Sequence, residues 1–170
     1  MASTNHSIAE HGATGAEPWD AALAGQIIAE HTALDGAALP ILHALQQAFG
    51  YVPKASEALI ADALNLSRAE VHGIVTFYHD FRHAPAGRHV LKVCRAEACQ
   101  SVGASPLAER LLARLGLEWG GTTKDGSLTI EAAYCLGLCA CGPSALLDDE
   151  PLARLDDAAL VALTEEASRA

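Results

Sequence analysis

The sequence predicts an α+β protein in which an N-terminal four-helix bundle precedes a smaller α/β domain, and three observations predict it. Apolar residues recur at three- and four-residue spacing from Trp19 to about Tyr78, the period switches to two after Arg88, and all five cysteines lie beyond that switch. The expected boundaries are a flexible tail over 1–18, the helical bundle over 19–83 and the second domain over 84–170.

Length and composition set the frame. A chain of 170 residues with 51% apolar content can bury a core of its own. The formal net charge of -10 argues against non-specific nucleic-acid binding, and no basic stripe interleaved with aromatics offsets it. Residues 1–18 hold no basic cluster followed by an apolar run, and no stretch approaches the roughly 18 apolar residues a membrane span needs. A soluble, cytoplasmic protein with neither nucleic-acid nor membrane partner is expected.

The tail is rich in Ala, Gly, Ser, Thr and His, and Gly12 to Gly15 lacks the Lys-Ser/Thr ending of a phosphate loop. His6 and His11 read as solvated tail residues. The first helix places Ala22, Leu23, Ile27, Ile28 and His31 on one face. The second runs from about Ala37 to Phe49, with Asp35 as the expected N-cap, Leu39, Leu42, Leu45 and Phe49 as its buried stripe, and Gly50 as its stop. A third helix carries Ala58, Leu59, Ala61, Ala63 and Leu64 and ends near Asn65. In the fourth, Ser67-Arg-Ala-Glu70 fits a capping box, in which serine and glutamate satisfy exposed backbone donors reciprocally. Acidic side chains outnumber basic ones across these helices, and His43 and His72 read as structural histidines. Thr76 to Arg82 crowds Phe77, Tyr78 and Phe81 against His79, Asp80 and Arg82, a composition suited to a desolvated contact surface or to an internal hinge.

Beyond the loop Ala84 to Gly87, Val90, Leu91 and Val93 predict a strand that delivers Cys94 at its end. Cys99 is expected in a loop, and Ser105-Pro106 is expected to start a helix that Gly116 ends. Asp125-Gly126 marks a turn into a second strand, Leu128, Ile130 and Ala132, that is expected to end at Cys135. Ala145 to Leu147 predicts a third strand, Asp148 to Glu150 its turn, Leu152 to Leu155 the return, and Asp156 or Asp157 the cap of a last helix. The order β, α, β, β, α is thioredoxin-like and puts both cysteine groups at strand ends, as a shared site requires.

The cysteines read C-x4-C (Cys94, Cys99), then thirty-five residues, then C-x3-C-x-C (Cys135, Cys139, Cys141). An odd number in a chain with core enough favours metal ligation over a disulfide framework. Soft, anionic sulfur suits iron-sulfur chemistry, and a rhombic 2Fe-2S unit needs two thiolates on each iron. Cys94 with Cys99, and Cys135 with Cys139, would form two such grips. Gly103, Gly137 and Gly142 would let backbone amides approach, Leu136 and Leu138 would exclude water, and Arg82, Arg88, Lys92 and Arg95 would form a basic island favouring the reduced state. Spacing leaves two alternatives open: zinc, for which C-x3-C is uncommon, and Cys141 in place of Cys139. A dithiol redox site is disfavoured, since no C-x2-C is present.

These cysteines, together with Leu39-Pro-Ile-Leu42, Phe49-Gly-Tyr-Val-Pro53, Val75-Thr-Phe-Tyr78 and Gly87-Arg-His-Val90, resemble the 24 kDa subunit family of respiratory complex I and related NAD-linked dehydrogenases. The likeness runs over roughly residues 20 to 168. Thr76 to Arg82 and Cys139-Ala-Cys-Gly-Pro143 most resemble the gamma subunit of soluble, molybdenum-containing NAD-dependent formate dehydrogenases. The resemblance implies a helical bundle followed by a thioredoxin-like domain holding one 2Fe-2S cluster, and its motif maps ligation onto Cys94, Cys99, Cys135 and Cys139. It implies a non-catalytic electron-transfer subunit, with no catalytic residue in this chain. FMN, the NAD site and a further iron-sulfur cluster would sit on a beta subunit, and formate oxidation at molybdenum on an alpha subunit. The alternatives are the equivalent subunit of complex I or of a NAD-reducing hydrogenase, and a zinc-stabilised thioredoxin-like binding module. Cys141 departs from the common pattern and reads as a small buried residue near the cluster.

Overall fold

The computed structural model describes residues 18–169, so the expected tail, with His6, His11 and Gly12 to Gly15, lies outside the described residues. The described chain falls into two compact units, 18–85 and 86–169. No helix among the described residues is long and apolar enough to cross a membrane.

The first unit holds four helices, α1 (Ala21–His31), α2 (Ala38–Phe49), α3 (Ser56–Leu64) and α4 (Arg68–Phe77). Asp20 caps α1, its Oδ1 accepting from the Ala22 amide at 2.7 Å. Asp35 does not cap α2. The residue before that helix is Ala37, with no side-chain cap, because Gly36 takes a left-handed turn (φ 68°) between Asp35 and the helix start. The box at α4 forms as its sequence requires: the Ser67 amide donates to Glu70 Oε2 at 2.8 Å and the Glu70 amide to Ser67 Oγ at 3.2 Å. Ile41, Leu42, Leu45, Phe49, Ile60, Val71 and Val75 share one apolar core, onto which Trp19 packs with its ring 5.3 Å from that of Phe49. The His43 ring lies 5.0 Å from that of Phe81, tilted by 60°, and His72 Nδ1 meets Glu57 Oε1 at 3.1 Å, so both histidines have structural partners.

The second unit is built on four strands, β1 (His89–Cys94), β2 (Leu128–Ala133), β3 (Ala145–Leu147) and β4 (Glu150–Leu152), in the spatial order β2-β1-β3-β4. β1 and β2 are parallel; β3 is antiparallel to both of its neighbours, making a mixed sheet. A parallel pair cannot be joined by a tight turn, and the crossover here carries helices α5 (Glu97–Ser101) and α6 (Ala104–Leu115). The last helix is α7 (Asp157–Arg169), and its cap is Asp156, whose Oδ1 accepts from the Ala159 amide at 2.8 Å. Leu91, Val93, Leu107, Leu111, Leu128, Ile130, Leu147 and Leu160 form the core between sheet and helices.

Three expectations shift. Cys99 lies on α5 rather than in a loop. α6 begins at Ala104 behind Gly103 (φ 93°), so Ser105-Pro106 falls inside its first turn, where proline lacks no needed donor. The return strand is Glu150–Leu152, because Asp148 and Asp149 alone make the turn, both with positive φ. That turn is fastened to the start of β1: His89, buried, sets Nδ1 2.6 Å from Asp148 Oδ2, and the Val90 amide donates to Asp148 Oδ1 at 2.8 Å. Gly87 is required by close approach, since a Cβ there would stand 2.9 Å from the Leu128 backbone nitrogen.

Candidate metal centre

Because β1 and β2 are parallel neighbours, their C-terminal ends lie side by side, with Cys94 in register with Ala133. The chain leaving β2 therefore brings Cys135 back across the end of β1. Cys135 sits at φ 80°, in the left-handed region that costs a non-glycine residue on the order of 1 kcal/mol or more. Bonds hold the segment at this point: the Arg95 amide donates to Ala133 O at 2.7 Å just before it, and the Cys135 amide is itself directed at the Cys94 sulfur. Cys139 and Cys141 follow on a single 3-10 turn, Cys139–Cys141.

The thiols fall into an inner and an outer pair. Cys94 and Cys99 are buried, 2% and 1% exposed, whereas Cys135 and Cys139 are exposed with their sulfurs 3.7 Å apart. Burial pushes the Cys94 thiol up, but the amides of Ala96, Cys135 and Leu136 and the Cys99 thiol, all hydrogen-bonded to it, together outweigh burial and hold it below the usual thiol range. Cys139 is held above that range, first by its hydrogen bond and charge repulsion with Cys135, then by burial, then by repulsion from Cys99 and Cys94. These four sulfurs thus occupy one electrostatic neighbourhood, in which mutual repulsion of thiolates is what a bound cationic centre relieves. Cys141 is half-buried rather than buried, and its Sγ is directed to Leu138 O at 3.4 Å.

Two thiol pairs on two segments, Cys94 with Cys99 and Cys135 with Cys139, are the donor set that a rhombic unit with two thiolates per iron would need. Amides already aimed at Cys94 supply the N–H···S bonds that tune such centres.

The surrounding residues divide differently from expectation. Leu136 packs on Cys94 and Cys99, and Leu138 is half-buried. Of the glycines, Gly103 caps α6, Gly137 (φ 77°) faces open space, and Gly142 closes on Cys99, where an added Cβ would lie 3.2 Å from Sγ and 3.1 Å from Val102 Cγ2. Gly142→Ala is therefore expected to press Cys99 out of place by a few tenths of an ångström, an overpacking that costs about 1–3 kcal/mol. A thermal midpoint lowered relative to wild type checks it, with faster loss of bound iron to a chelator. Within the second unit the basic residues are spread out and form no island: Arg88 stands at the far end of β1, roughly 20 Å along the strand from Cys94, Lys92 pairs with Asp149 at 3.2 Å, and Arg95, over the Trp119 ring at 4.7 Å, follows Cys94 directly.

Ser144 was not marked by the sequence. It is 1% exposed, its carbonyl accepts from the Cys94 amide, and its Oγ lies 3.4 Å from Cys99 Sγ. A serine between Pro143 and a short strand gives no pattern that singles it out.

With this geometry in view, likeness to known proteins carries weight. The sequence matches the family described as Thioredoxin-like [2Fe-2S] ferredoxin over residues 24–168. It is 33% identical over 129 residues to a subunit of the NADH-quinone oxidoreductase of Escherichia coli (strain K12), covering 76% of this chain and 78% of that protein. It is 31% identical over 116 residues to the HndA protein of the NADP-reducing hydrogenase of Solidesulfovibrio fructosivorans, covering 68% of each. Among solved structures, a chain of NAD+-reducing [NiFe]-hydrogenase in the H2-reduced state superposes with a TM-score of 0.62 at 29% identity, over 75% of this chain and only 22% of that one. Relatives of this kind are subunits of oxidoreductase complexes, and the chain belongs to the thioredoxin-like [2Fe-2S] ferredoxin family.

Proposed function

We propose that this chain is an electron-transfer subunit of a NAD-linked oxidoreductase complex and binds one 2Fe-2S cluster through Cys94, Cys99, Cys135 and Cys139. The observation that carries it is the pairing of thiols at neighbouring chain ends: Cys94 closes β1, the Cys135 amide just past the parallel β2 is directed at the Cys94 sulfur, and the Cys135 and Cys139 sulfurs lie 3.7 Å apart. When bound, such a cluster supplies a one-electron store. The protein does the rest. Cys94 and Cys99 anchor the buried side, Cys135 and Cys139 close the exposed side, Leu136 keeps water from the inner sulfurs, and the amides of Ala96, Cys135 and Leu136 stabilise negative charge on Cys94.

The finer reading is the gamma subunit of a soluble, molybdenum-containing NAD-dependent formate dehydrogenase, in the cytoplasm. It rests on the likeness of Thr76 to Arg82 and Cys139 to Pro143 to that group. In this reading the overall reaction, formate and NAD to CO2 and NADH, is catalysed on partners: an alpha subunit with molybdenum and a beta subunit with FMN, the NAD site and a further iron-sulfur cluster. The domains are a tail over 1–18, a four-helix bundle over 19–83 and the cluster domain over 84–170. Phe77 and Tyr78 are the aromatic candidates for docking on the beta subunit, at 73% and 42% exposure; Phe81 is buried in the helical core and drops out of that role. Relatives in NADH-quinone oxidoreductase and hydrogenase complexes support the equivalent subunit of either as the second reading.

Protein purified without oxygen is expected to be red-brown, to bleach with dithionite and to give a rhombic S = 1/2 EPR signal of about one spin per chain. Colourless protein with stoichiometric zinc would refute the electron-transfer reading. Pull-down of a molybdenum-containing partner separates formate dehydrogenase from the two alternatives.

A further inference from the structure

We infer that Ser144 is a positioning residue for the cluster site, donating its hydroxyl proton to the Cys99 sulfur and thereby raising the reduction potential. The inference rests on the ligand set proposed above. Ser144 is fixed on two sides before its side chain is considered: its carbonyl accepts from the Cys94 amide at 3.0 Å, and the next residue, Ala145, pairs with Val93 in the sheet. Its hydroxyl is thus held where the fold puts it, 1% exposed, and Cys99 Sγ at 3.4 Å is its hydrogen-bond partner.

In the metal-free chain either group could donate. An iron-bound thiolate has no proton, so with Cys99 as ligand the direction is fixed, and Ser144 Oγ–H must donate to sulfur. Hydrogen bonds to charged acceptors are stronger than neutral ones, and an added electron makes a ligating sulfur more negative. The bond therefore favours the reduced state over the oxidised one, as donors to cluster sulfurs do. No proton moves in this account; only the strength of an existing bond changes. Because the inner pair is buried, water cannot replace the donor, and the loss is felt in full.

The placement also gives Ser144 both members of the inner pair, one through its backbone and one through its side chain. Removing the hydroxyl alone separates the two roles, since Ser144→Ala keeps the carbonyl that holds Cys94.

The test is a mediated redox titration followed by EPR on the full chain, for wild type, Ser144→Ala, and the isosteric couple Ser144→Thr and Ser144→Val. Iron and sulfide are first counted in each. Ser144→Ala and Ser144→Val are expected to show a roughly tenfold smaller equilibrium constant for reduction, which for a one-electron couple is about 59 mV downward, while Ser144→Thr stays near wild type. Equal potentials in wild type and Ser144→Ala overturn the role of Ser144 and leave the cluster assignment standing. Should Ser144→Ala fail to hold iron, equal potentials in the Thr and Val variants overturn it in the same way. Wild-type protein without a 2Fe-2S cluster overturns the ligand assignment and this inference with it.

Discussion

Cys139→Ala is expected to abolish the one-spin rhombic signal, whereas Cys141→Ala leaves iron, sulfide and spectrum at wild-type levels. The two thiols are separated by one residue on the same turn, so sequence distance cannot discriminate them. Orientation does. Cys139 Sγ is 3.7 Å from Cys135 Sγ and is repelled by Cys135, Cys99 and Cys94, which places it among the other three. Cys141 Sγ is directed back to Leu138 O, and its own carbonyl is occupied by the Arg154 amide at 2.8 Å, so the turn around it is already braced. Bringing Cys141 round to replace Cys139 would break both contacts. Iron and acid-labile sulfide per chain, with spin quantitation after dithionite, check the pair of variants. An unaltered spectrum in Cys139→Ala, or loss of iron in Cys141→Ala alone, would reverse the assignment to the C-x5-C alternative. The same experiment run on Cys94→Ala and Cys99→Ala should give the same loss, since each removes half the grip on the buried side.

What made this site legible from sequence was periodicity rather than the cysteines by themselves. The alternation in Val90, Leu91 and Val93 put Cys94 at a strand end, where it is; that in Leu128, Ile130 and Ala132 ran the second strand to Cys135, two residues past its end at Ala133. The structure pairs those strands in parallel, across a crossover that carries two helices, and that pairing puts the ends together. Capping signals worked where the side chain and backbone were adjacent, as at Ser67 with Glu70, and failed at Asp35, where the left-handed Gly36 intervenes. Cys99 was expected in a loop because Glu97–Ser101 is too short to show a helical period. Charge was misread for a related reason. Arg88, Lys92 and Arg95 are near in sequence, but a strand spreads them along its length, and an island needs them on one end. Ser144 and the close contact of Gly142 with Cys99 come from residues more than forty positions away in the chain, and nothing local encodes them.

Ile130→Ala is expected to lower stability by about 2–5 kcal/mol. Ile130 is fully buried at the centre of β2, in register with Leu91, and belongs to the core that also holds Val93, Leu107, Leu111 and Leu128. Its backbone is engaged on the outer side as well: the Gly120 amide donates to Ile130 O at 2.8 Å, and the Ile130 amide to Gly121 O at 3.1 Å. With both backbone groups fixed, the strand cannot slide inward to fill the space left by the missing side chain, so the cavity remains and the cost sits above bare transfer of the lost methylenes. Against a total stability of roughly 5–15 kcal/mol for a domain of ordinary size, this is a large fraction. The thermal midpoint should fall by roughly 10 °C or more, and Ile130→Val should cost only about 0.5–1.5 kcal/mol. The consequence reaches the metal centre through geometry alone. β2 carries Cys135 at its exit, and loosening the strand frees the residue whose left-handed backbone the sheet holds in place. Visible absorbance and far-ultraviolet dichroism should therefore be lost together on heating Ile130→Ala, at a temperature below that of wild type. A midpoint shift no larger than that of Ile130→Val would mean the core collapses around the alanine, and that β2 is not the fixed support on which Cys135 depends.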